Sequence, residues 1–361
     1  MKKVLVIDDS ALMRRVISDI INQDEKLTVG GTANNGLNAL EQLKSGEKFD
    51  ILLIDIKMPK MDGVSLLREM EANRIKIPSI IVSSIASETG AETIEALELG
   101  ALDFIKKPIS SIGEHFAEFR EDLLEKVYIA AGIDVTKSSF RPKEETKAPT
   151  RTSAAVTPVP RRGSRKVKKG SKLVVIASST GGPKALQSVV PFFPANFPYP
   201  IVVVQHMPAG FTNSLAQRLD EMSQLKVKEA ADGEELKAGN VYIAMGGKQC
   251  ELVSKPGGSY VFSENDKPPR GGLRPCADIF FESLPETSFE EIICAVLTGM
   301  GADGCSGISL IRNTHQVRCV AQNAETCVVY GMPRSVVEAG VADKVVPLEN
   351  VTATLMRESG V

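Results

Sequence analysis

The sequence predicts two α/β domains, each a parallel sheet with helices on both faces. Three observations predict it. Short β-rich apolar runs alternate with amphipathic stretches over residues 1–130, and a second series of the same kind starts at Lys172. The runs are almost continuously apolar, as strands covered on both faces must be. A segment of different composition separates the two series. A chain of 361 residues exceeds one typical domain, and 43% hydrophobic content supplies material for two cores.

In the first series the strand candidates are Val4–Asp8, Leu27–Ala33, Ile51–Asp55, Ser79–Ser84 and Asp103–Lys107. Between them lie helical patterns at Ser10–Asn22, Gly36–Lys44, Val64–Glu71 and Glu92–Leu99. Five such βα repeats make a flavodoxin-like sheet. Residues 131–170 form a linker. From 137 on, Ser, Thr and Pro accompany eleven Lys or Arg and two Glu, a net charge of +9. Such a stretch buries too little apolar surface to offset its ordering entropy. Residues 171–361 form the second domain. Its strands are Leu173–Ala177, Ile201–Gln205, Val241–Ala244, Glu291–Leu297 and Val317–Ala321. Its helices are Ala185–Val190, Ser214–Glu221, Asp278–Ser283 and Gly304–Asn313. Glu251–Val253 and Tyr260–Phe262 flank Pro256-Gly257-Gly258 as a β-hairpin, so the second domain is expected to be doubly wound and mostly parallel with a hairpin added.

Composition narrows the function classes. A net charge of −2 gives no global case for nucleic acid or membrane surfaces. Met1-Lys2-Lys3 runs into an apolar stretch that Asp8-Asp9 cut short, so no signal peptide is expected. No run nears the ~18 apolar residues of a membrane span, so no membrane insertion is expected. A cytoplasmic protein follows as the expectation. All six cysteines lie in the C-terminal half without zinc spacing, and are expected to be reduced core residues.

In a parallel sheet, sites form where the carboxyl ends of strands converge. Asp8-Asp9, Asp55, Ser83 and Lys107 all stand at such ends. Converging carboxylates repel unless a cation neutralises them, and oxygen ligands favour Mg²⁺. Any single Asp here is equally an N-cap or a solvated loop residue. The joint pattern is more specific: Val-Ile-Asp8-Asp9-Ser, Ile-Asp55-Ile-Lys-Met-Pro59-Lys-Met-Asp62-Gly63, Val-Ser83-Ser and Phe104-Ile-Lys-Lys107-Pro108. With these motifs the first 120 residues or so resemble the response-regulator receiver family. The resemblance implies that Asp55 accepts a phosphoryl group and that Asp8, Asp9 and Asp55 bind Mg²⁺. It further implies switch roles for Ser83, Phe104 and Lys107, and a cis peptide at Lys107-Pro108.

In the second domain Ser178-Ser179-Thr180-Gly181-Gly182 joins a buried strand to a helix, which exposes a serine at the sheet edge. A phosphate-binding turn and a plain N-cap are the competing readings; neither G-x-G-x-x-G nor the P-loop pattern is present. A serine nucleophile needs a base. His115 and His315 read as surface or capping residues, whereas His206 ends the strand Ile201–Gln205 on the same edge as Ser179. Asp303 follows another strand and a glycine-rich turn, where a helix cap is its competing reading. The order Ser179, His206, Asp303 and the absence of G-x-S-x-G exclude an α/β-hydrolase of the familiar kind.

The text Ser179-Thr-Gly-Gly, Gln-His206-Met-Pro, Arg274-Pro-Cys-Ala-Asp278, Leu-Thr-Gly-Met300-Gly-Ala-Asp303-Gly and Ala-Gln-Asn-Ala-Glu-Thr-Cys-Val-Val-Tyr-Gly331-Met-Pro333 is similar to the chemotaxis protein-glutamate methylesterase (CheB) family. Cys276 stands where Ser is common in that family. The resemblance implies ester hydrolysis by Ser179, His206 and Asp303, with oxyanion support from Thr180 and Met300 and no cofactor for the ester step. It also implies glutamine deamidation, methyl-accepting chemoreceptors as substrates and a CheA-type histidine kinase as phosphodonor. A monomer is expected. The competing class is a phosphorylation-gated binding module without catalysis.

Overall fold

The computed structural model describes residues 1–84, 89–108, 114–133, 171–256 and 258–361. Most of the basic linker, from 134 on, and the hairpin residue Gly257 lie outside the described residues.

The first sheet contains β1 (Lys2–Ile7), β2 (Leu27–Ala33), β3 (Ile51–Asp55), β4 (Ser79–Ser83) and β5 (Asp103–Lys106). Its order is β2-β1-β3-β4-β5 and every pairing is parallel. Helices α1 (Ala11–Asn22), α2 (Gly36–Lys44), α3 (Gly63–Ala72), α4 (Thr89–Glu98) and α5 (Glu114–Ala130) cover its faces. The first three start at side-chain caps: Ser10, Asn35 and Asp62 accept from the N–H groups of Met13, Asn38 and Ser65. One face of the sheet packs Val4, Val6, Leu53 and Ile105 against Ile17 and Ile21 of α1 and Leu123 and Val127 of α5. Helix α5 completes the fifth of the expected βα repeats, for which the sequence pattern gave no range. Its many charges mask an apolar stripe of Phe119, Leu123, Leu124 and Val127 at helical spacing.

The second domain runs β6 (Lys172–Ser178), α6 (Gly182–Gln187), β7 (Ile201–Gln205), α7 (Phe211–Met222), β8 (Lys226–Glu229) and β9 (Asn240–Ile243). The antiparallel hairpin β10 (Gln249–Ser254) and β11 (Tyr260–Asn265) follows, with Leu252 opposite Phe262. Then come α8 (Ala277–Glu282), β12 (Glu291–Val296), α9 (Cys305–Ile311), β13 (Gln316–Gln322), α10 (Met332–Glu338), β14 (Lys344–Val346) and α11 (Val351–Ser359). Seven strands pair in the order β14-β13-β12-β6-β7-β9-β8, all parallel. The sequence reading had five of these strands. The two it missed, β8 and β14, are the edge strands: short, with Lys at alternate or first positions, so the apolar run that marks a buried strand is absent.

Adjacent strands run away from the β6–β12 pair in opposite directions of the chain, which makes that pair the switch point of the sheet. The first sheet has its own switch point between β1 and β3. Both candidate sites lie at these crevices.

The two domains pack through α4 and β5 of the first and α6 and α7 of the second. The Phe104 and Phe211 rings meet with centroids 4.5 Å apart. Glu98 of α4 accepts from Arg218 Nε at 2.6 Å and Nη2 at 3.2 Å, and from Gln187 Nε2 at 3.0 Å. A buried apolar cluster is continuous across this junction, from Ile81 and Phe104 to Phe211 and Leu215.

Candidate active site

At the edge of the first sheet, Asp8 and Asp55 are buried and Asp9 is exposed. Each of the three offers an oxygen, and these oxygens lie within 4.8 Å of one another. Lys107 Nζ reaches Asp8 Oδ2 at 2.7 Å and Asp55 Oδ2 at 2.8 Å. Burial pushes the Asp55 carboxyl up to about 6; Lys107 opposes this, while Asp8 and Asp9 add to it. Lys107, which burial alone would push down, is pulled up by Asp55 and Asp8. An all-oxygen cluster with excess negative charge suits a hard divalent cation such as Mg²⁺. Ser83 Oγ lies beside the cluster's strand ends, donating to Ser84 O at 3.3 Å and accepting from Thr93 Oγ1 at 3.4 Å. Phe104 is buried and carries the ring contact to Phe211.

The expected cis peptide at Lys107-Pro108 is a correction. The only cis bond among the described residues is Arg274-Pro275. Trans is the more stable form even before proline. Here Lys107 also reaches both carboxylates while its N–H donates to Ser83 O at 2.8 Å.

In the second sheet Ser179, His206 and Asp303 follow β6, β7 and β12, three neighbouring strands. The Ser179 turn is fixed from all sides. Its N–H donates to Thr298 O at 3.0 Å, and its carbonyl accepts from Gly182 N at 2.7 Å and Gln205 Nε2 at 3.0 Å. Ser178 Oγ donates to Gln205 Oε1 at 2.6 Å, which orients that amide. A Cβ on Gly182 would stand 2.0 Å from Gln205 Oε1, and one on Gly299 would stand 2.7 Å from Ser179 Cβ. These two glycines therefore permit the close backbone approach that places Ser179 at the edge. Gly181, at φ 76°, turns the chain into α6.

His206 Nε2 lies 2.7 Å from Asp303 Oδ2, and the two side chains are 7% and 5% exposed. The other ring nitrogen, Nδ1, is buried and has no hydrogen-bond partner among the described residues. Asp303 Oδ2 also accepts from Ala277 N at 2.6 Å. Its Oδ1 accepts from Asp278 N at 2.9 Å, Gly304 N at 3.0 Å and Cys276 Sγ at 3.1 Å. Burial alone would raise this carboxyl, but His206 and these donors hold it down to about 2. It is an ionised carboxylate bonded to an imidazole whose other nitrogen has no partner among the described residues. The N–H groups of Thr180 and Met300 likewise donate to no described residue. His315 is remote from this constellation, contacting Thr287 and Thr314, and the His115 side chain lies outside the described residues.

A family model described as CheB methylesterase matches residues 174–355. The chain belongs to the CheB methylesterase family. A second model, described as response regulator receiver domain, matches residues 4–113. Among curated CheB-family relatives, "protein-glutamate methylesterase/protein-glutamine glutaminase 1" of Syntrophomonas wolfei is 42% identical over 360 residues, 98% of each chain. The protein-glutamate methylesterase/protein-glutamine glutaminase of Bacillus subtilis is 41% identical over 357 residues, again 98% of each. The solved catalytic domain of the Thermotoga maritima CheB methylesterase superposes with a TM-score of 0.50 at 45% identity, covering 98% of that chain and 52% of this one.

Sequence reasoning missed the supporting residues of the site. Gln205 cradles the Ser179 turn, Gln249 Oε1 accepts from Cys276 N at 2.9 Å, and Gln322 Oε1 accepts from Thr298 N at 2.8 Å. Three glutamines at or near strand ends were the available signal, since an amide at the end of an apolar strand is buried and must be paired. Cys276, noted only as a departure from the family, donates to the Asp303 carboxylate. Burial first, and Asp303 second, push its thiol up to about 12, so it is a proton donor here and not a nucleophile.

Proposed function

We propose that this chain is a phosphorylation-controlled serine hydrolase that removes methyl esters from glutamate side chains of chemoreceptors and deamidates glutamines by the same apparatus. The observation that carries this reading is the His206–Asp303 pair, whose unpartnered Nδ1 stands on the same sheet edge as Ser179. With Nε2–H given to Asp303, Nδ1 holds the lone pair that takes the Ser179 proton.

Ser179 Oγ attacks the γ-carbonyl while His206 accepts its proton. His206 then protonates the departing methoxide, and methanol leaves an acyl-serine. Water attacks that ester with the same base, releasing glutamate and restoring Ser179. On a glutamine the leaving group is ammonia. Asp303 stays ionised and stabilises the imidazolium. The N–H groups of Thr180 and Met300 are the donors for the oxyanion.

The receiver half supplies control. Asp55 takes a phosphoryl group from a CheA-type histidine kinase, and Asp8, Asp9 and Asp55 hold Mg²⁺. When bound, the ion offsets the charge of the carboxylates and of the phosphoryl oxygens. Lys107 already touches Asp8 and Asp55, Ser83 lies at the neighbouring strand end, and Phe104 carries the change to Phe211. We assign residues 1–130 to the receiver, 131–170 to the linker and 171–361 to the catalytic domain, acting in the cytoplasm. No helix among the described residues is long and apolar enough to cross a membrane.

The test is methanol release from methylated receptor membranes with and without acetyl phosphate and Mg²⁺. Release should rise with phosphodonor, vanish in Ser179→Ala, and lose its stimulation but not its basal level in Asp55→Ala. No release by wild type whose Asp55 is phosphorylated would overturn the catalytic reading in favour of a gated binding module.

A further inference from the structure

The motif Arg274-Pro275-Cys276-Ala277-Asp278 wraps the acidic member of the site through one side chain and two backbone N–H groups. Cys276, Ala277 and Asp278 all donate to Asp303. The Arg274 carbonyl accepts from Gly247 N at 3.0 Å. Gly246, the next residue back, lies so close to the segment after His206 that a Cβ there would stand 2.4 Å from Pro208 O. Arg274 is thereby anchored between the His206 loop and the Asp303 cradle. Its guanidinium makes no hydrogen bond or ion pair with any described residue, although its charge reaches the Asp266 carboxylate.

Its neighbours on the same rim differ. Lys248 pairs with Asp266 at 2.6 Å, Lys267 with Glu251 at 2.6 Å and Arg270 with Glu282 at 2.5 Å. Arg274 is partly buried, and its guanidinium carries a positive charge. A guanidinium presents a fork of donors that matches a carboxylate bidentately. The reacting ester is neutral and calls for backbone donors, not for a cation. Asp266, the carboxylate that feels its charge, is already bound by Lys248, which leaves the Arg274 fork free to meet an anionic group on the substrate.

We propose that Arg274 is a specificity residue that binds a free carboxylate on the substrate protein, next to the glutamate ester being cleaved. The enzyme then prefers an ester embedded in an acidic peptide surface to the same ester among neutral residues. This inference rests on the proposed methylesterase activity. It adds that the discrimination acts through substrate binding and leaves the chemical step alone.

The test uses full-length protein, acetyl phosphate with Mg²⁺, and two synthetic peptides. Both carry one glutamate γ-methyl ester. One has Glu at the positions three and four residues to either side, the other has Ala. Wild type should favour the acidic peptide roughly tenfold in kcat/KM, the scale of one charged hydrogen-bonded pair. Arg274→Gln should lose that preference through KM, leave kcat and the neutral peptide within about twofold, and weaken the salt dependence of the acidic one. Arg274→Lys should restore part of it. Equal loss on both peptides would overturn the proposal, because it would put Arg274 on the reacting group or the fold. An unchanged preference in Arg274→Gln would overturn it equally. No hydrolysis of either peptide by wild type that also fails on methylated receptor membranes would instead sink the methylesterase reading beneath it.

Discussion

Replacing Glu98 by Gln should loosen the junction between the domains and, where that junction restrains the unphosphorylated enzyme, raise its basal activity. Glu98 sits on α4 and holds Arg218 of α7 through two bonds and Gln187 of α6 through a third. Two features set the magnitude. The pair is bidentate and charge-assisted, which argues for more than a median surface pair. It is also partly wet, with side chains 42% and 23% exposed, which argues for a discount. About 1 kcal/mol is the balance, and that changes the ratio of closed to open arrangements about fivefold. The Arg218–Glu221 pair within α7 persists in both arrangements and cancels. The assay is initial methanol release by the unphosphorylated and the acetyl-phosphate-treated protein. Basal activity should rise about fivefold, the phosphorylated ceiling should hold, and the stimulation factor should shrink in proportion. Arg218→Gln should act alike, and the double variant should add little, since both remove one interaction. A basal rate unchanged by both single variants would refute the latch. So would a ceiling that rises with the basal rate, because that would place the effect in the catalytic step.

Gly299→Ala would put a methyl 2.7 Å from Ser179 Cβ and 2.5 Å from Met332 Sδ. Displacing the serine by even part of that distance should cost ten- to a hundredfold in kcat, and the overpacked turn should also lower the unfolding temperature; an active variant would mean that the Ser179 turn tolerates movement. Asp303 is held at about 2 in the folded chain against 3.8 for the free group, so its ionised form favours folding. That contribution is whole above the unfolded value and is lost as pH falls through about 2, and it is worth about 2 kcal/mol. The stability gap between wild type and Asp303→Asn in urea should close by that amount between pH 5 and pH 2, and a gap independent of pH would contradict the assigned ionisation.

The strands that build the two crevices were legible because they are buried on both faces. Val4–Ile7, Ile51–Ile54, Leu173–Ala177 and Ile201–Val204 have no polar residue to blur them. The strand-end positions of Asp8, Asp55, Ser179 and His206 followed from the same runs. What the sequence did not reveal has local causes. β8 reads Lys-Val-Lys-Glu and β14 only Lys-Val-Val, too short and too charged to separate from loop. Helix α6 begins at Gly182, three residues earlier than expected, because two glycines and a proline disguise its first turn. The glutamine supports and the thiol donor on Asp303 depend on pairings between residues 24 to 27 positions apart, which no local pattern encodes. The cis peptide expected at Lys107-Pro108 came from resemblance alone, and the backbone here reaches the same lysine contacts without it.

The adjacency of β12, β6 and β7 has a consequence for how the protein is made. Ser179 and His206 come from strands that pair early in the second domain, but Asp303 arrives on a strand that reaches β6 only after the whole β8–β11 excursion. A ribosome-bound chain ending before that point carries a serine and an imidazole but no oriented base. Parallel pairing across so long an interval is slow relative to local contacts. Return of esterase activity after dilution from denaturant would thus time the insertion of β12 between β6 and β13, and would lag behind the recovery of helical signal.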